Sequence, residues 1–343
     1  MEIDYSTPFY FKLREDWLTN VSRTFTLSIK ILPYDLRDQV GLAYLICRFL
    51  DTLEDDPSLT VETKIESLNR AQEIISSPEK INEYEDYFKH LSNSRTMKEA
   101  DANLLRESTH IFSYFHTYRK SVKKGISKWA IEMAEGMKKY CFGIDKPEFY
   151  IRNRDEFEEY TYYVAGTVGK MLSSLFLQHI NDSNGKIGKV LEENDIQFGK
   201  ALQYVNIIKD ANTDILENRC FLPKDQMDQY SLNYDDLFKE SGKDGVSSIL
   251  KETIVKAEDY IENSMTYIKA IPMRNWRIRL FCIWPIFFAV KSLNKIKDNL
   301  DIVSSSNQKI KISRKDVKRT IFFSIPSGFF NLCLDTYYKA LKR

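Results

Sequence analysis

At 343 residues, with 43% hydrophobic and 29% charged side chains, the chain has a globular composition, which excludes an intrinsically disordered protein. The 50 basic and 49 acidic residues almost cancel, so no global positive field points to nucleic acid, and we expect no such partner. The chain has only 12 glycines and 9 prolines, and these low numbers disfavour turn-rich β architectures and favour long helices.

Apolar residues recur at intervals of three and four along most of the chain, which is the spacing of amphipathic helices. In chain order, this spacing predicts helices over Leu36–Leu50, Val61–Ser76, Ala102–Lys123, Lys128–Tyr140, Asp155 to about Ile180, Glu193–Glu217, Val246–Ile271, Trp276–Lys297 and Ser313–Leu341. Thr60 and Ser313 are expected to be helix N-caps. No alternating run of β-branched residues demands a sheet. We therefore expect an all-α fold in a single domain over residues 1–343, because no change of composition marks a boundary.

Cysteine usage and apolar run length predict the cellular context. The five cysteines are scattered and odd in number, which is typical of free thiols in a reducing compartment. The N-terminal segment lacks the basic and apolar regions of a signal peptide. The longest apolar stretches, Leu280–Val290 and Ile321–Leu334, are shorter than the about 20 residues that span a bilayer. We expect a cytoplasmic protein, soluble or peripherally membrane-associated, without a transmembrane anchor.

A first cluster of acidic residues follows the predicted helix Leu36–Leu50. Asp51, Glu54 and Asp55 lie at i, i+3 and i+4, so their side chains share one helix face. Like charges at this spacing destabilise an isolated helix, and a hard cation such as Mg²⁺ removes that repulsion. Arg48, one turn earlier, is placed either to brace a carboxylate or to bind a phosphate. The alternative is a solvated helix end; Asp56 lies off this face and is expected to be a bystander charge.

A second acidic pair lies in a later apolar helix. Asp210 and Asp214 are spaced i, i+4, and Asn206 lies one turn earlier on the same stripe. Lys209 and Arg219 supply positive charge nearby. Taken alone, this pattern also fits a polar stripe on a half-exposed helix. If the two acidic helices face each other, however, their carboxylates can hold Mg²⁺ ions that bridge a diphosphate, above an apolar cavity for a hydrophobic tail.

Four sequence blocks, in order, resemble the squalene/phytoene synthase family over roughly residues 15–300. They are Ser22–Phe25 (SRTF), Arg48–Asp56 (RFLDTLEDD), Tyr160–Gly169 (YTYYVAGTVG) and Asn206–Pro223, which holds the second acidic pair and a following flap. The resemblance implies the isoprenoid-synthase fold, a helical bundle around a deep apolar cavity.

The resemblance also implies a role for each matching residue. The metal ligands would be Asp51, Glu54, Asp55, Asp210 and Asp214, and Tyr160 would join the four aspartates in catalysis. The diphosphate would be bound by Arg23, Arg48, Asn206, Lys209 and Arg219. Three positions depart from the family pattern: Lys209 and Thr213 replace an arginine and a glutamate, and Asn218 replaces a glycine of the flap.

The activity implied is the head-to-head joining of two allylic prenyl diphosphates, here farnesyl diphosphate or another member of that class, with Mg²⁺, or Mn²⁺ in its place. A cyclopropyl diphosphate forms first. Squalene synthases, which Val21–Pro33 and Asp51–Asp56 resemble more, then reduce it with NADPH. A phytoene or dehydrosqualene synthase without this reduction is the alternative, and a non-enzymatic helical scaffold is the second. A peripheral membrane contact for product release is also expected; the sequence does not indicate an oligomeric state.

Overall fold

The structure is a computed structural model that describes residues 17–21, 23–143, 145, 149–180, 182 and 184–342. The described chain falls into two compact units. The first comprises the described residues within Met1–Pro147 and Met171–Asn181, and the second those within Glu148–Lys170 and Asp182–Arg343. The expectation of a single domain over residues 1–343 stays a prediction.

The first unit is built from helices. They are α1 (Leu18–Val21), α2 (Arg23–Ile31), α3 (Tyr34–Asp55), α4 (Val61–Ser76), α5 (Lys80–Glu83), α6 (Glu85–Leu91), α7 (Glu99–Arg106), α8 (Ser108–Thr117) and α9 (Lys120–Tyr140). Helix α3 is the centre of this unit, and its apolar residues are almost all buried. Phe49 on α3 packs edge-on against Phe88 and Phe112, with ring centroids 5.0 and 5.1 Å away.

The second unit is also helical. Its helices are α10 (Arg154–Thr161), α11 (Thr167–His179, which ends in the first unit), α12 (Lys186–Asp214), α13 (Lys224–Gln229), α14 (Lys243–Ala270), α15 (Trp276–Lys297), α16 (Leu300–Ser305), α17 (Arg314–Phe329) and α18 (Asn331–Leu341). A π-helical turn, Tyr162–Gly166, joins α10 to α11, and short 3₁₀ turns lie at Ile215–Glu217, Tyr234–Asp236, Glu240–Gly242 and Met273–Asn275. Two-residue strands β1 (Phe149–Tyr150) and β2 (Arg219–Cys220) pair in parallel.

Close backbone packing positions α12, the helix that carries the second acidic pair. A Cβ added to Gly199 would lie 2.0 Å from the carbonyl oxygen of Ala165, and one added to Gly169 would lie 1.9 Å from that of Asp195. Only glycine fits such contacts, so the π turn and the start of α11 lie directly against α12. Helix α12 also packs along α14.

The all-α prediction is confirmed, and several helix boundaries are corrected. Val61–Ser76 and Trp276–Lys297 are helices with the predicted ends, and Thr60 and Ser313 are N-caps, the latter in a capping box with Asp316. The predicted helix Ala102–Lys123 is wrong, because the helix is interrupted at Glu107, between α7 and α8, and again between α8 and α9. Ser313–Leu341 is broken at Phe330, which is extended. The expectation of no sheet missed the short β1–β2 pair.

No helix within the described ranges is long and apolar enough to cross a membrane.

Candidate active site

The first acidic cluster occupies the last turn of α3, which runs to Asp55 and not only to Leu50 as predicted. Its three acids lie in different surroundings: Asp51 is half-buried, Glu54 is only 7% exposed and Asp55 is exposed. Burial raises the pKa of Asp51 to about 7, against the opposing effect of Arg48, and the negative charges of Asp55 and Asp101 add to the rise. The surroundings of Asp51 therefore disfavour its negative charge, because Arg48 only partly offsets burial and the neighbouring acids.

Arg48 is already engaged by a carboxylate that the sequence analysis missed. Its Nε and Nη2 donate to the two oxygens of Asp101, each over 2.9 Å. This is the two-bond geometry of a strong arginine–carboxylate pair. Asp101 lies on α7, 53 residues away, and no local pattern in the sequence marks it as a partner of Arg48. The pair fixes the guanidinium beside the acids of α3.

Glu54 lies next to a buried lysine. The Nζ of Lys64 donates to the backbone carbonyl of Glu54 and lies 4.3 Å from the centroid of the Phe142 ring. Burial lowers the pKa of Lys64, and the carboxylate of Glu54 is the largest opposing influence. Glu54 therefore lies beside a buried cation and opposes the fall in its pKa more than Asp55 does.

Asp56, expected to be a bystander, anchors the loop after α3. Its Oδ1 accepts hydrogen bonds from the backbone N–H and the hydroxyl of Ser58, at 2.9 and 2.8 Å, and from the hydroxyl of Thr96 at 2.5 Å. Burial alone would raise the pKa of Asp56, but these hydrogen bonds, with one from Ser94, lower it. Its role is to hold the end of α3 in place.

In the second cluster, Asp210 lies between two lysines. The Nζ of Lys209 is 3.1 Å from Oδ2 of Asp210 and donates to Oδ1 of Asn206 over 2.9 Å. On the other side, Nζ of Lys309 is 3.6 Å from Oδ1 of Asp210. Asn206, Lys209 and Asp210 are thus brought together as predicted, whereas Lys309 was not anticipated.

A hydrogen-bonded segment after α16 brings Lys309 to α12. The side-chain amide of Asn212 donates to the backbone carbonyls of Ser306 and Gln308, at 2.8 and 3.0 Å. Asn212 is buried, so these bonds hold the segment against the helix. Asn212 and the segment lie more than 90 residues apart in the sequence, so no local pattern predicts this contact.

Asp214, one turn after Asp210, has a more distant counter-charge. Nη2 of Arg219, in β2, lies 3.8 Å from Oδ1 of Asp214 and donates to Glu217 over 2.8 Å. Burial raises the pKa of Asp214 to about 6, Arg219 opposes the rise, and the negative charges of Asp210 and Glu217 add to it. Arg219 is therefore beside the second acidic pair, as predicted.

Two of the three departures from the family pattern have a local structural role. Thr213 donates from its hydroxyl to the backbone carbonyl of Asp210, over 2.8 Å. Asn218 has φ 57° and ψ 29°, a left-handed conformation that favours glycine and that asparagine tolerates better than most residues. The asparagine is thus compatible with the turn that follows α12.

Tyr160 lies near the end of α10 and is buried. Its ring packs on Phe221, with centroids 5.3 Å apart and planes tilted by 34°. Two residues earlier, Glu158 accepts hydrogen bonds from Lys200, Tyr204 and Tyr260, each over 2.6 Å. Sequence reasoning missed this network, which ties α10 to α12 and α14 and so fixes the helix that carries Tyr160.

Arg23 begins α2, and its side chain lies outside the described part of the structure.

The donor set fits a cation such as Mg²⁺ that is bound by few protein groups. Within the described residues, no three or more histidines, cysteines, aspartates or glutamates are grouped so as to hold a metal ion. Mg²⁺ is often bound by one or two carboxylates, with water and substrate phosphates completing its shell. The pairs Asp51–Asp55 and Asp210–Asp214, each at helical spacing with one raised pKa, match that pattern.

Residues 18–316 match the squalene/phytoene synthase family. The chain belongs to the squalene/phytoene synthase family. It is 31% identical over 289 residues to the squalene synthase of Nicotiana benthamiana, which covers 83% of this chain and 64% of that protein. It is 27% identical over 324 residues to the squalene synthase of Schizosaccharomyces pombe, covering 92% of this chain and 65% of that protein. The chain thus spans slightly less than two thirds of the length of these relatives.

A solved structure shares the fold of this family member. The complex of TcSQS with the ligand BPH1237 superposes with a TM-score of 0.79 at 24% identity, over 97% of this chain and 91% of that one. At this identity the likeness shows the fold, and it confirms the all-α isoprenoid-synthase architecture expected from the sequence.

Proposed function

We propose that this chain is a prenyltransferase that joins two farnesyl diphosphates head to head, through the cyclopropyl intermediate presqualene diphosphate, and reduces that intermediate with NADPH to squalene. The observation that carries the proposal is the pair of acidic clusters at the ends of α3 and α12, both inside the family match. The two curated relatives above are squalene synthases by name, which favours the squalene branch.

The carboxylates are assigned to the metal ions. Asp51 and Asp55, with Glu54 beside them, and the pair Asp210 and Asp214 would hold Mg²⁺, or Mn²⁺ in its place. When bound, the metal neutralises the negative charge that grows on a departing diphosphate. Burial raises the pKa values of Asp51 and Asp214 because it disfavours their charged forms. A cation bound against these carboxylates would stabilise the charged forms, so both residues suit this role.

The cationic and amide side chains are assigned to the diphosphates. Arg48 is oriented by Asp101, and its remaining N–H groups are available for a phosphate oxygen. Lys209 and Asn206 form one hydrogen-bonded pair on α12, and Arg219 lies beside Asp214. Arg23 completes this set through the family resemblance. Together these side chains orient the leaving group and hold it after its bond breaks.

Tyr160 is assigned to the first ionisation step. Its ring is buried against Phe221, where an aromatic face can stabilise a carbocation and water is excluded. Its phenol can donate or accept a proton. The reduction by NADPH rests on similarity to squalene synthases, and we assign no residue to it.

Product analysis tests the proposal. The protein is incubated with farnesyl diphosphate and Mg²⁺, with and without NADPH, and the products are identified. Squalene formed only with NADPH supports the proposal. Dehydrosqualene under both conditions, or turnover of the C20 diphosphate alone, would replace it with the dehydrosqualene or phytoene alternative. No Mg²⁺-dependent release of diphosphate from either substrate would favour the helical scaffold.

Asp51→Asn and Asp210→Asn test the acidic clusters. Each change removes a carboxylate from a proposed metal pair, and we expect Mg²⁺-dependent diphosphate release to fall by about 100-fold or more. Glu240→Gln, at an exposed glutamate of the second unit, is the control and should keep full activity. Unchanged turnover in both aspartate variants contradicts the assignment.

A further inference from the structure

The outer face of the second half of α17 is apolar, although the outer face of a surface helix is normally polar. The residues that α17 buries are small: Thr320, Ser324, Ser327 and Gly328. Phe322 and Phe323 point outward, with 69% and 59% of their surface exposed. In an amphipathic helix at the surface of a globular protein, large apolar residues face the core and polar residues face the solvent.

The small buried residues have a packing reason. A Cβ added to Gly328 would lie 2.8 Å from Cγ of Leu280 on α15, so α17 approaches that helix closely. The hydroxyls of Thr320 and Ser324 bond to carbonyls of their own helix, at 2.8 and 3.1 Å, and thus need no water. The inner face therefore fits closely against α15, and the exposed phenylalanines lie on the other side of the helix.

The exposed apolar surface continues past the end of α17. Five large side chains form what we call the apolar corner: Phe322, Phe323, Ile325, Phe330 and Leu332, of which Leu332 is 78% exposed. The ring of Trp276 stacks on Phe329 at 4.9 Å and holds the corner in place. Isolated exposed apolar residues are common, but five large ones within residues 322–332, with the rings of Phe322 and Phe323 in contact, indicate a contact surface.

Basic residues flank the apolar corner on the same helix. Arg314, Lys315, Lys318 and Arg319 are all exposed, and Lys318 and Arg319 lie one turn before Phe322 and Phe323. The nearest acid on α17 is Asp316, which is engaged in the capping box with Ser313. The outer face of α17 thus has a basic first half and an apolar second half.

The combination of basic and apolar side chains on α17 indicates which kind of partner this surface binds. A second copy of the chain, placed face to face, would bring the same positive charges together and repel. The surface of a bilayer with anionic lipids offers negative charge to the lysines and arginines, and an acyl boundary to the phenylalanines. We propose that the apolar corner and its basic flank bind the surface of a membrane that contains anionic lipids.

Vesicle binding tests this proposal without reference to activity. The 343-residue chain is sedimented with vesicles of phosphatidylcholine alone or of an equal mixture with phosphatidylserine. We expect binding to the mixed vesicles. Phe322→Ser with Leu332→Ser should weaken it by about tenfold or more, because two large apolar contacts are lost. The matched control, Val255→Ser with Ile302→Ser, removes exposed apolar residues elsewhere and should bind as wild type.

A charge variant and an exchange measurement complete the test. Lys318→Gln with Arg319→Gln should weaken binding to the mixed vesicles by about tenfold and change binding to the neutral ones little. In the unmodified chain, mixed vesicles should slow amide hydrogen exchange in residues 317–332. The proposal is overturned if wild type ignores both vesicle types, if the Phe322 and Leu332 variant binds equally well, or if that variant instead abolishes a dimer of the chain.

Discussion

The two acidic clusters share one sequence pattern but differ in how their charge is neutralised. At the end of α3, the arginine nearest to Asp51 forms its two hydrogen bonds with Asp101. At the end of α12, Asp210 has its own cations, Lys209 at 3.1 Å and Lys309 at 3.6 Å. The first cluster thus keeps a carboxyl with a pKa of about 7. In the second cluster Asp210 is already paired with lysines, and the raised pKa belongs to Asp214, at about 6.

The difference shows that spacing along a helix determines which acids are neighbours, but not their electrostatic state. That state depends on which cations the tertiary fold brings close. A bound cation should therefore relieve more unfavourable charge at the first cluster than at the second.

Asp101→Asn should have the largest effect on stability. The change removes a charge-assisted, two-bond contact to Arg48, and we expect the free energy of unfolding to fall by about 2 kcal/mol. It also removes a negative charge near Asp51, so the pKa of Asp51 should move down. Urea denaturation measures the first effect. Glu99→Gln, at a far more exposed acid of α7, is the control; equal stability of both variants would show that the pair is unimportant.

Asp51→Asn should change how stability depends on pH. The folded state of wild type holds a proton on Asp51 up to about pH 7, while the unfolded state loses it near pH 4. Between these values the folded state binds more protons, so wild-type stability falls as pH rises, and the variant lacks this dependence. Measured by urea denaturation without metal, the variant should gain about 1 kcal/mol relative to wild type between pH 6 and pH 7.

Asp214→Asn is the comparison in the second cluster. The sign should be the same, but the change should be complete nearer pH 6, where Asp214 titrates in the folded state. Identical profiles for the Asp51 and Asp214 variants would contradict the difference between the clusters.

Lys309→Ala should have the smallest effect. Its contact with Asp210 is partly exposed, so the free energy of unfolding should change by about 0.5 kcal/mol or less. Because a competing cation is removed, the Mg²⁺ concentration for half-maximal diphosphate release should fall by up to about twofold. Lys311→Ala, at an exposed lysine two residues further on, should leave both values unchanged. A rise in the Mg²⁺ requirement would instead indicate that Lys309 helps to bind the substrate.

Local sequence signals predicted the helices well where the pattern and the ends were both clear. Thr60 caps α4, and the ends of α4 and α15 agree with the prediction. The predicted helix Ala102–Lys123 is interrupted twice in the structure. The prediction failed because the apolar spacing continues across Glu107, so the local pattern does not show that the helix ends there. The π turn at Tyr162–Gly166 was missed for the same reason: its backbone is set by contact with α12.

By itself the sequence determined the all-α class, the family, and the acids that share a helix face, since these follow from local spacing and from motifs in order. Only the tertiary structure decided that Arg48 is bound to Asp101, that Glu54 lies beside Lys64, and that Lys309 reaches Asp210. Helical periodicity is a property of a few consecutive residues. Ion pairing and burial instead depend on side chains that are tens of residues apart and meet only when the helices pack.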